Sequence, residues 1–292
     1  NINEIPPLGN FLCGDSISFT YIVQSECDTA SCTSSFRVEP ATPLTITCSA
    51  DTTLAACSDQ TSIEAAYNQW IAGFSFTGGC NAADNISEIP ALTDMICGDS
   101  LTFTYIVQGE CDTASCTSTF RVEPAPPLTI TCPADTMLDA CTDSAAIQAA
   151  YNNWVAGFTF SGGCDATDNI DEVPALTDMT CGGSLSFTYI VESICDTAQC
   201  TSIFGVEPDT ILPEITCPPD TTVQLAGDIP PVFNTLAEFI AAGGIATDNC
   251  GIELFEFISQ TETGQCPTVI ERIYQVTDYC GNISQCTHFI ML

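Results

Sequence analysis

Cysteine is the residue whose number and spacing point most directly to chemistry in this chain. Twenty cysteines occur among 292 residues, and those up to Cys200 recur at a constant interval of 84 positions, as Cys48 and Cys132 do. Such a pattern can bind zinc or form disulfides. Zinc ligands are usually grouped as Cys-x-x-Cys or with histidines, but no Cys-x-x-Cys pair exists and His288 is the only histidine. The spacing therefore predicts disulfide bonds and an oxidising, extracellular compartment.

The residues that most enzymes use for acid–base and nucleophilic catalysis are scarce. The chain has no lysine and one histidine, and its cysteines are assigned to bridges. Catalysis of these kinds needs a base poised near neutrality beside a nucleophile or a second acid. Carboxylates recur identically in each repeat, which indicates a repeated surface feature rather than one active site. We therefore predict a protein without enzymatic activity.

One loop rich in carboxylates is a candidate metal site. Four acidic residues lie within eight positions there: Asp165, Asp168, Asp171 and Glu172. Ca²⁺ accepts six to eight oxygen ligands of this kind, although the spacing matches no EF-hand loop. The alternative is an Asp-Asn turn that hydrogen bonds to its own backbone. No cofactor other than Ca²⁺ is predicted.

The charge balance excludes two classes of partner. The chain has 37 acidic residues against three arginines, for a net charge of −34. Nucleic acids and anionic membrane surfaces both need a basic footprint, so neither is a predicted partner. No apolar stretch of 18 residues occurs, so direct membrane insertion is not predicted either. Because only 14% of the residues are charged, hydroxyl and amide side chains must cover much of the surface.

Three copies of a β-hairpin carry nine of these cysteines, and they begin at Cys13, Cys97 and Cys181. In the middle copy, apolar and polar residues alternate from Leu101 to Gln108, which is the pattern of a half-buried strand. A polar turn at 112–115 and a return strand to Val122 complete the hairpin.

A helix and a proline-rich joint accompany each complete hairpin. The helical pattern is carried by Ile63, Ala66, Tyr67, Trp70, Ile71 and Phe74, with Gly73 as a stop signal. The stiff joints are 39–43, 123–127 and 207–213. The predicted domains are half a repeat at 1–40, full repeats at 44–124 and 128–208, and a divergent repeat at 212–292. Because residue 1 falls within a repeat, we expect the chain to be part of a longer exported protein.

Three stretches of the last repeat are Ile215-Thr-Cys-Pro-Pro-Asp-Thr-Thr222, Ala246-Thr-Asp-Asn-Cys-Gly251 and Tyr274-Gln-Val-Thr-Asp-Tyr-Cys-Gly-Asn282. They resemble hyalin-repeat (HYR) domains, which are immunoglobulin-like β-sandwiches used as extracellular adhesion and spacer modules. The 84-residue repeats match in part, and their helix departs from the pattern. The resemblance implies a mainly β fold of tandem, disulfide-rich immunoglobulin-like sandwiches, each with one short α-helix. The composition and repeat style resemble giant cell-surface adhesins of gliding Bacteroidota.

Six cysteines per repeat allow fifteen pairings, and the implied immunoglobulin-like arrangement favours one of them. Adjacent first and last strands imply the pairs Cys48–Cys116, Cys132–Cys200 and Cys217–Cys286. Cysteines at one pole imply Cys57–Cys97 and Cys141–Cys181. The opposite pole then holds Cys80–Cys111 and Cys164–Cys195. The last repeat retains Cys250–Cys280 and leaves Cys266 unpaired, whereas Cys13, Cys27 and Cys32 would bond to cysteines upstream of residue 1.

Asp followed by Ser or Thr and then a small or apolar residue is a candidate modification motif. Its hydroxyl residues are Ser16, Thr29, Thr52, Ser100, Thr113, Thr136, Ser144, Thr197, Thr210 and Thr221. The motif is similar to the O-glycosylation acceptor of exported Bacteroidota proteins. The alternative is ordinary turn and cap chemistry. Thr29, Thr113 and Thr197 lie at the hairpin turns, so they are the favoured acceptors.

These observations predict a non-enzymatic extracellular repeat region that acts as the rigid stalk or adhesive filament of a large surface adhesin. Its predicted partners are neighbouring repeats and surfaces or polysaccharides bound by many weak contacts. A dedicated polysaccharide-binding module is an alternative, and it would need exposed aromatic residues such as Tyr67 and Trp70. A self-assembling extracellular filament subunit is the other alternative.

Overall fold

The computed structural model describes residues 5–7, 9, 11 and 13–292. The chain forms two compact units. Unit 1 comprises Asn1–Leu128 with Gly162–Ala166 and Glu192–Thr197; unit 2 comprises Thr129–Ser161, Thr167–Val191 and Ala198–Leu292. Two loops of the repeat at 128–208 thus belong to the same unit as the repeat before it.

Unit 1 begins with an antiparallel hairpin of β1 (Asp15–Gln24) and β2 (Thr29–Val38). The elements that follow are β3 (Thr45–Thr47), β4 (Thr52–Leu54), α1 (Gln60–Ala72), β5 (Ser75–Thr77), β6 (Ala83–Asp84), a 3₁₀ turn at Ile86–Glu88, β7 (Asp99–Gln108) and β8 (Thr113–Val122). They form one sheet in the order β4-β8-β7-β6 and a second of β3 and β5. β4, the second strand of the repeat, is parallel to β8, the last strand of this immunoglobulin-like sandwich.

The alternation along β7 separates the core from the surface, as the sequence predicts. Tyr105 and Val107 are fully buried. Thr104 is exposed on the opposite face, and its hydroxyl lies 3.0 Å from that of Thr117 on β8. Such cross-strand pairs stabilise the exposed side of a hairpin.

The apolar face of the first hairpin is far less covered than that of its copy. Phe36 is 54% exposed, whereas the equivalent Phe120 is 0% exposed. The sequences of the two hairpins are nearly identical, so the difference lies in what packs on them. The hairpin β1–β2 is half of a sandwich, whereas β7–β8 packs against α1.

Helix α1 closes the core of the sandwich on one side. Asp59 caps its first turn by accepting a hydrogen bond from the Ser62 backbone N–H at 2.9 Å. Its apolar face buries Ile63, Tyr67 and Trp70. The helix therefore contributes its aromatic residues to the core and not to the surface.

Two hydrogen bonds fix the polar atoms of these aromatic side chains. The Trp70 indole Nε1–H donates to the Ser118 hydroxyl at 2.8 Å, and both residues are buried. The Tyr67 hydroxyl donates to the Pro90 carbonyl oxygen. Buried Tyr and Trp need such partners, because an unpaired polar group in a core is costly.

Unit 2 contains most of the next repeat and all of the last one. The elements of the repeat at 128–208 are β9 (Thr129–Thr131), β10 (Thr136–Leu138), α2 (Ser144–Ala156), β11 (Thr159–Ser161), β12 (Thr167–Asp168), a 3₁₀ turn at Ile170–Glu172, β13 (Gly183–Glu192) and β14 (Thr197–Val206). They repeat the arrangement of unit 1, with a sheet β10-β14-β13-β12 and a pair β11-β9. Trp154 again donates to a buried serine, Ser202, at 2.8 Å.

The last repeat keeps the same plan with a shorter helix. Its elements are β15 (Glu214–Thr216), β16 (Thr221–Thr222), a 3₁₀ turn at Ala226–Asp228, α3 (Leu236–Ala241), β17 (Ile245–Thr247), β18 (Ile252–Thr263), β19 (Val269–Asp278) and β20 (Ile283–Met291). No tryptophan is present here. Phe239 and Tyr274 fill the core instead, with ring centroids 5.5 Å apart.

The helices are short throughout the described part of the chain. α1 and α2 have 13 residues each and α3 has six. None of the described helices is long and apolar enough to cross a membrane.

Candidate functional site: the cysteine junctions between repeats

Eight disulfides join the described cysteines, and each lies within one of the two units. Three of them close a single repeat: Cys48–Cys116, Cys132–Cys200 and Cys217–Cys286. These three pairs were predicted. In each case one cysteine directly follows the first strand and the other lies in the last strand, as Cys48 follows β3 and Cys116 lies in β8. Each bridge fastens the first strand of a sandwich to the last one.

The other five disulfides join one repeat to the next. They are Cys13–Cys111, Cys57–Cys164, Cys97–Cys195, Cys141–Cys250 and Cys181–Cys280. Their sequence separations of 98 to 109 residues exceed the repeat length. Each complete repeat therefore sends two bridges from one pole to the repeat that follows.

This pattern corrects the remaining predicted pairs. The structure does not contain Cys57–Cys97, Cys141–Cys181, Cys80–Cys111, Cys164–Cys195 or Cys250–Cys280. The reason is visible at the pole of the repeat at 44–124, where a Gly-Gly-Cys loop and a hairpin tip of the next repeat supply Cys164 and Cys195. These two loops are held together, since the Ile194 N–H donates to the Cys164 carbonyl at 3.0 Å.

Four cysteines are unpaired: Cys27, Cys32, Cys80 and Cys266. The prediction that Cys13 bonds upstream is wrong, because Cys13 bonds to Cys111. Cys80 was predicted to be bridged and is not. Its equivalent one repeat later, Cys164, bonds to the preceding repeat. Cys266 is unpaired and exposed, as predicted. The predicted reason, loss of the Cys57 equivalent, is wrong, because the equivalent cysteines Cys97 and Cys181 bond to the repeat that follows and not to Cys57 and Cys141.

A glycine next to Cys13, Cys97 and Cys181 lets the backbone of the proline-rich joint approach closely. Gly98 has φ +95°, and a Cβ there would lie 2.3 Å from the Pro124 Cα. The same contact occurs between Gly14 and Pro40 and between Gly182 and Pro208. Only glycine combines this positive φ with such close backbone approach. The joints are therefore packed against the repeats rather than free.

A group of three carboxylates lies beside the two bridges of unit 2 that join successive repeats. The carboxylate oxygens of Asp209, Asp248 and Asp278 lie within 4.8 Å of one another. Asp278 is 0% and Asp209 8% exposed, and Asp248 is half-buried. The Oδ1 atom of Asp248 is buried and has no hydrogen-bond partner. These oxygens could hold a metal ion of the type that prefers carboxylates.

The chemistry of this group distinguishes it from the cysteines nearby. Cys141 and Cys250 lie close to Asp209, but they form a disulfide, and only thiolates ligate metals well. Burial alone would raise the pKa of the Asp278 carboxyl, but hydrogen bonds from Asn282 and from neighbouring backbone N–H groups lower the pKa overall. Asp278 is thus held as a carboxylate despite its burial.

The sequence-predicted calcium loop is built differently. Asp168 accepts a hydrogen bond from the Tyr189 hydroxyl at 2.6 Å, and Asn169 accepts one from the Ile190 N–H at 2.9 Å. Burial, followed by the bond to Asp168, raises the pKa of Tyr189. Asp165, Asp168, Asp171 and Glu172 are all exposed. None of them belongs to a metal-competent cluster in the described part of the chain.

The structure separates the candidate glycosylation sites into two groups. Seven are exposed: Ser16, Thr29, Ser100, Thr113, Ser144, Thr197 and Thr210. The other three are partly buried and donate their hydroxyls to backbone carbonyls two residues earlier: Thr52, Thr136 and Thr221. The second group thus shows the turn chemistry that was the alternative interpretation.

The aromatic residues that a sugar-binding surface would need are in the core. Tyr67 is 7% and Trp70 2% exposed, and their counterparts Tyr151 and Trp154 are equally buried. A polysaccharide platform built on these side chains would require the sandwich to open.

No protein-family model and no curated protein matches the chain. Solved structures with related layouts include the protocadherin gamma B4 extracellular domain, with a TM-score of 0.38 and 9% identity over 95% of this chain and 55% of that one. Domains 4–9 of the surface layer protein SbsC match with a TM-score of 0.25 and 10% identity, over 94% of this chain and 53% of that one. The titin I-band fragment I67–I69 matches with a TM-score of 0.25 and 8% identity, over 85% of this chain and 98% of that one. The chain thus spans about half of the first two chains. Likeness at this level concerns the fold alone.

Sequence reasoning missed two features of the junctions. The bridges between repeats were missed because most cysteines have equivalents in the neighbouring repeats. Spacing alone therefore cannot show whether a cysteine bonds within its own repeat or to the next one. The carboxylate group was missed because its members are far apart in sequence. One signal was available, since Asp209 replaces the alanines found at the equivalent joint positions, Ala41 and Ala125.

Proposed function

We propose that this chain is a non-enzymatic, extracellular repeat region that acts as the stiff stalk of a large surface adhesin. The observation that carries the proposal is the double disulfide link between successive repeats. In unit 2, Cys141–Cys250 and Cys181–Cys280 both line one cleft of about 290 Å³ at the pole of the repeat. Its partners are its own neighbouring repeats, and through many weak contacts, surfaces or polysaccharides.

Two bridges added to a peptide joint change the mechanics of a junction. A single peptide link leaves neighbouring domains free to hinge, which is the ordinary behaviour of domains in one chain. Each further covalent link at a separate point removes rotations that the joint alone would allow. Packing of the joint proline on its glycine, as at Gly98 and Pro124, adds to the constraint. Stiffness therefore follows from covalent structure and does not need a large apolar interface.

The surface charge fits the same role. A net charge of −34 on 292 residues makes copies repel one another, which favours solubility and disfavours collapse onto other acidic surfaces. This also disfavours the filament alternative, since identical acidic chains would need to pack side by side.

Junction stiffness can be tested by small-angle scattering and negative-stain imaging of the whole chain. One variant combines Cys141→Ser, Cys181→Ser, Cys250→Ser and Cys280→Ser, which removes both bridges of one junction. The matched control combines Cys132→Ser and Cys200→Ser, which removes one bridge inside a repeat. We expect a broad range of inter-repeat angles in the first variant and the narrow wild-type range in the control. A broad range in the oxidised wild type would contradict the proposal.

Ca²⁺ is the candidate cofactor of this proposal. The carboxylates of Asp209, Asp248 and Asp278 are hard oxygen donors that suit it. Calorimetric titration of wild type against Asp209→Ala is the test, because the variant recreates the alanine found at the other joints. We expect a saturable heat of Ca²⁺ binding in wild type and none in the variant. Equal heats in the two proteins would show that these carboxylates do not bind Ca²⁺.

Glycan attachment at Thr29, Thr113 and Thr197 is also part of the proposal. All three are exposed at the start of return strands, where bulk is tolerated. Mass analysis of material from the native host should show added hexose units on peptides with these residues. A bare polypeptide mass would exclude the modification.

A further inference from the structure

We infer that the disulfides make this chain an inextensible, tension-bearing tether whose length is limited by parallel covalent routes through the repeats. The inference rests on the proposed stalk function but concerns pulling, not bending. It follows from which cysteines are joined and from how many residues lie between them along each route.

The first route is called the strand route, and it runs along the central strands. It passes from Cys111 back along β7 to Cys97, and then across the bridge to Cys195 of the next repeat. It then runs along β13 to Cys181 and across to Cys280. Each repeat contributes fourteen positions to this route. These positions are mostly in extended strands already, so pulling on them gains little length.

The second route is called the helix route, and it runs through the helix of each repeat. It passes from Cys80 back through α1 to Cys57, and the bridge to Cys164 leads into the next repeat. It then runs back through α2 to Cys141 and across the bridge to Cys250. Each repeat contributes 23 positions to this route, because Cys164 is the equivalent of Cys80 one repeat later.

The third route is called the backbone route, and it follows the joints. From Cys116 the chain runs sixteen positions through the joint to Cys132, where the internal bridge to Cys200 bypasses the rest of the repeat. At ~3.5 Å per residue, the strand and backbone routes limit each repeat to roughly 55 to 60 Å and the helix route to about 85 Å, compared with about 300 Å for 84 unbridged residues. Loss of either of the two shorter routes therefore leaves the length almost unchanged.

This redundancy is what the bridges between repeats add. A sandwich with internal bridges alone would depend on one bond per repeat to carry a load. Here the load divides among parallel bonds, and cleavage of the peptide in the joint at 123–127 still leaves Cys57–Cys164 and Cys97–Cys195 holding the repeats together. Such a tether would keep its length under drag or after a single proteolytic cut.

The experiment is single-molecule pulling on the whole chain through terminal tags, without reductant. The four unpaired cysteines Cys27, Cys32, Cys80 and Cys266 are changed to serine throughout, which prevents thiol–disulfide exchange. At high force we expect a maximal length of about 200 Å for this background, and about 1,000 Å after complete reduction. The maximal length does not depend on whether the repeats are folded during the pull, because the disulfide connectivity alone sets it.

Two variants test the routes separately. Cys132→Ser with Cys200→Ser removes the internal bridge, and we expect no lengthening, because the strand route is untouched. If the cysteines instead paired within each repeat, the same variant would lengthen by about 100 Å. Cys57→Ser, Cys97→Ser, Cys164→Ser and Cys195→Ser together should lengthen the chain by less than about 20 Å, because the backbone route remains.

Lengthening of the Cys132 and Cys200 variant, or steps of 100 Å or more in the oxidised background, would overturn the inference. Neither result would touch the stalk proposal, which is measured at zero force by the range of angles. Conversely, wide angles with a fixed maximal length would overturn the stalk and leave the tether.

Discussion

Removal of the internal bridge of the last repeat should destabilise that repeat. The change is Cys217→Ala with Cys286→Ala, and the bridge closes a loop of 69 residues. In the chain-entropy account, such a loop restricts the unfolded state by about 4 kcal/mol. Both cysteines are only partly buried, so the substitution adds little loss of packing. The free energy of unfolding should therefore fall by about 4 kcal/mol, mainly through the unfolded state.

The other bridges modify this value only slightly. Cys141–Cys250 and Cys181–Cys280 survive in the variant and already restrict part of the same unfolded segment. They shorten the effective loop, but the entropy depends on the logarithm of loop length, so the expected loss stays near 4 kcal/mol. For a repeat of this size, that corresponds to a melting temperature lower by about 15 to 30 °C.

The sole histidine makes the assay specific to the last repeat. His288 is 2% exposed on β20, two residues beyond Cys286. Its imidazole proton signals, followed through a urea titration, report on this repeat alone. The fluorescence of Trp70 and Trp154 reports on the two preceding repeats and serves as an internal reference. We expect the His288 transition to move down by about 2 to 4 M urea while the tryptophan transitions move far less.

Cys266→Ala is the matched control for this experiment. Cys266 is in the same repeat, exposed and unpaired, so its loss should change stability by less than about 0.5 kcal/mol. If the double variant came within about 1 kcal/mol of this control, the bridge would not act by restricting the unfolded chain.

Three further predictions concern single side chains. Gly98→Ala should destabilise its repeat by about 1 to 3 kcal/mol in urea titrations, because φ is +95° and a Cβ would meet the Pro124 backbone. The control Gly227→Ala should leave stability unchanged, because the space around Gly227 is open. Ser118→Ala should cost about 1 to 3 kcal/mol by leaving the buried Trp70 N–H without an acceptor, measured by tryptophan fluorescence. Burial lowers the pKa of His288 in the folded state. The stability that comes from keeping this imidazole neutral is therefore complete above about pH 6.5 and is lost as the pH falls through the folded-state pKa. The urea midpoint of the last repeat should accordingly drop between pH 7.5 and 5. A midpoint independent of pH in that range would contradict it.

The elements themselves were predictable because they depend on local periodicity. The alternation around Tyr105 and the helical spacing of Ile63, Tyr67 and Trp70 each follow from burial on one face. The adjacency of Cys48 and Cys116 could also be predicted, because parallel first and last strands are a property of the implied sandwich. These features need no information from outside one repeat.

The bridges between repeats could not be predicted for the opposite reason. Cys111 and Cys195 have nearly the same sequence around them, so Cys97 has two candidate partners that no local pattern distinguishes. The strand from Cys97 to Cys111 spans the repeat, which excludes a bond between them and places Cys97 at the far pole. What lies next to that pole is decided by how repeats stack. The course of the joint between repeats depends on contacts such as Gly98 on Pro124, which appear only in three dimensions.

Disulfide mapping of the oxidised chain shows directly whether the bridges join one repeat to the next. The chain has no lysine and three arginines, so pepsin at low pH is a suitable protease, and the acid also suppresses thiolate exchange. Peptides with Cys111 and Cys195 differ in sequence and can be told apart by mass. We predict crosslinked peptides that join Cys57 to Cys164 and Cys97 to Cys195. Crosslinked peptides that join Cys57 to Cys97 would contradict the account.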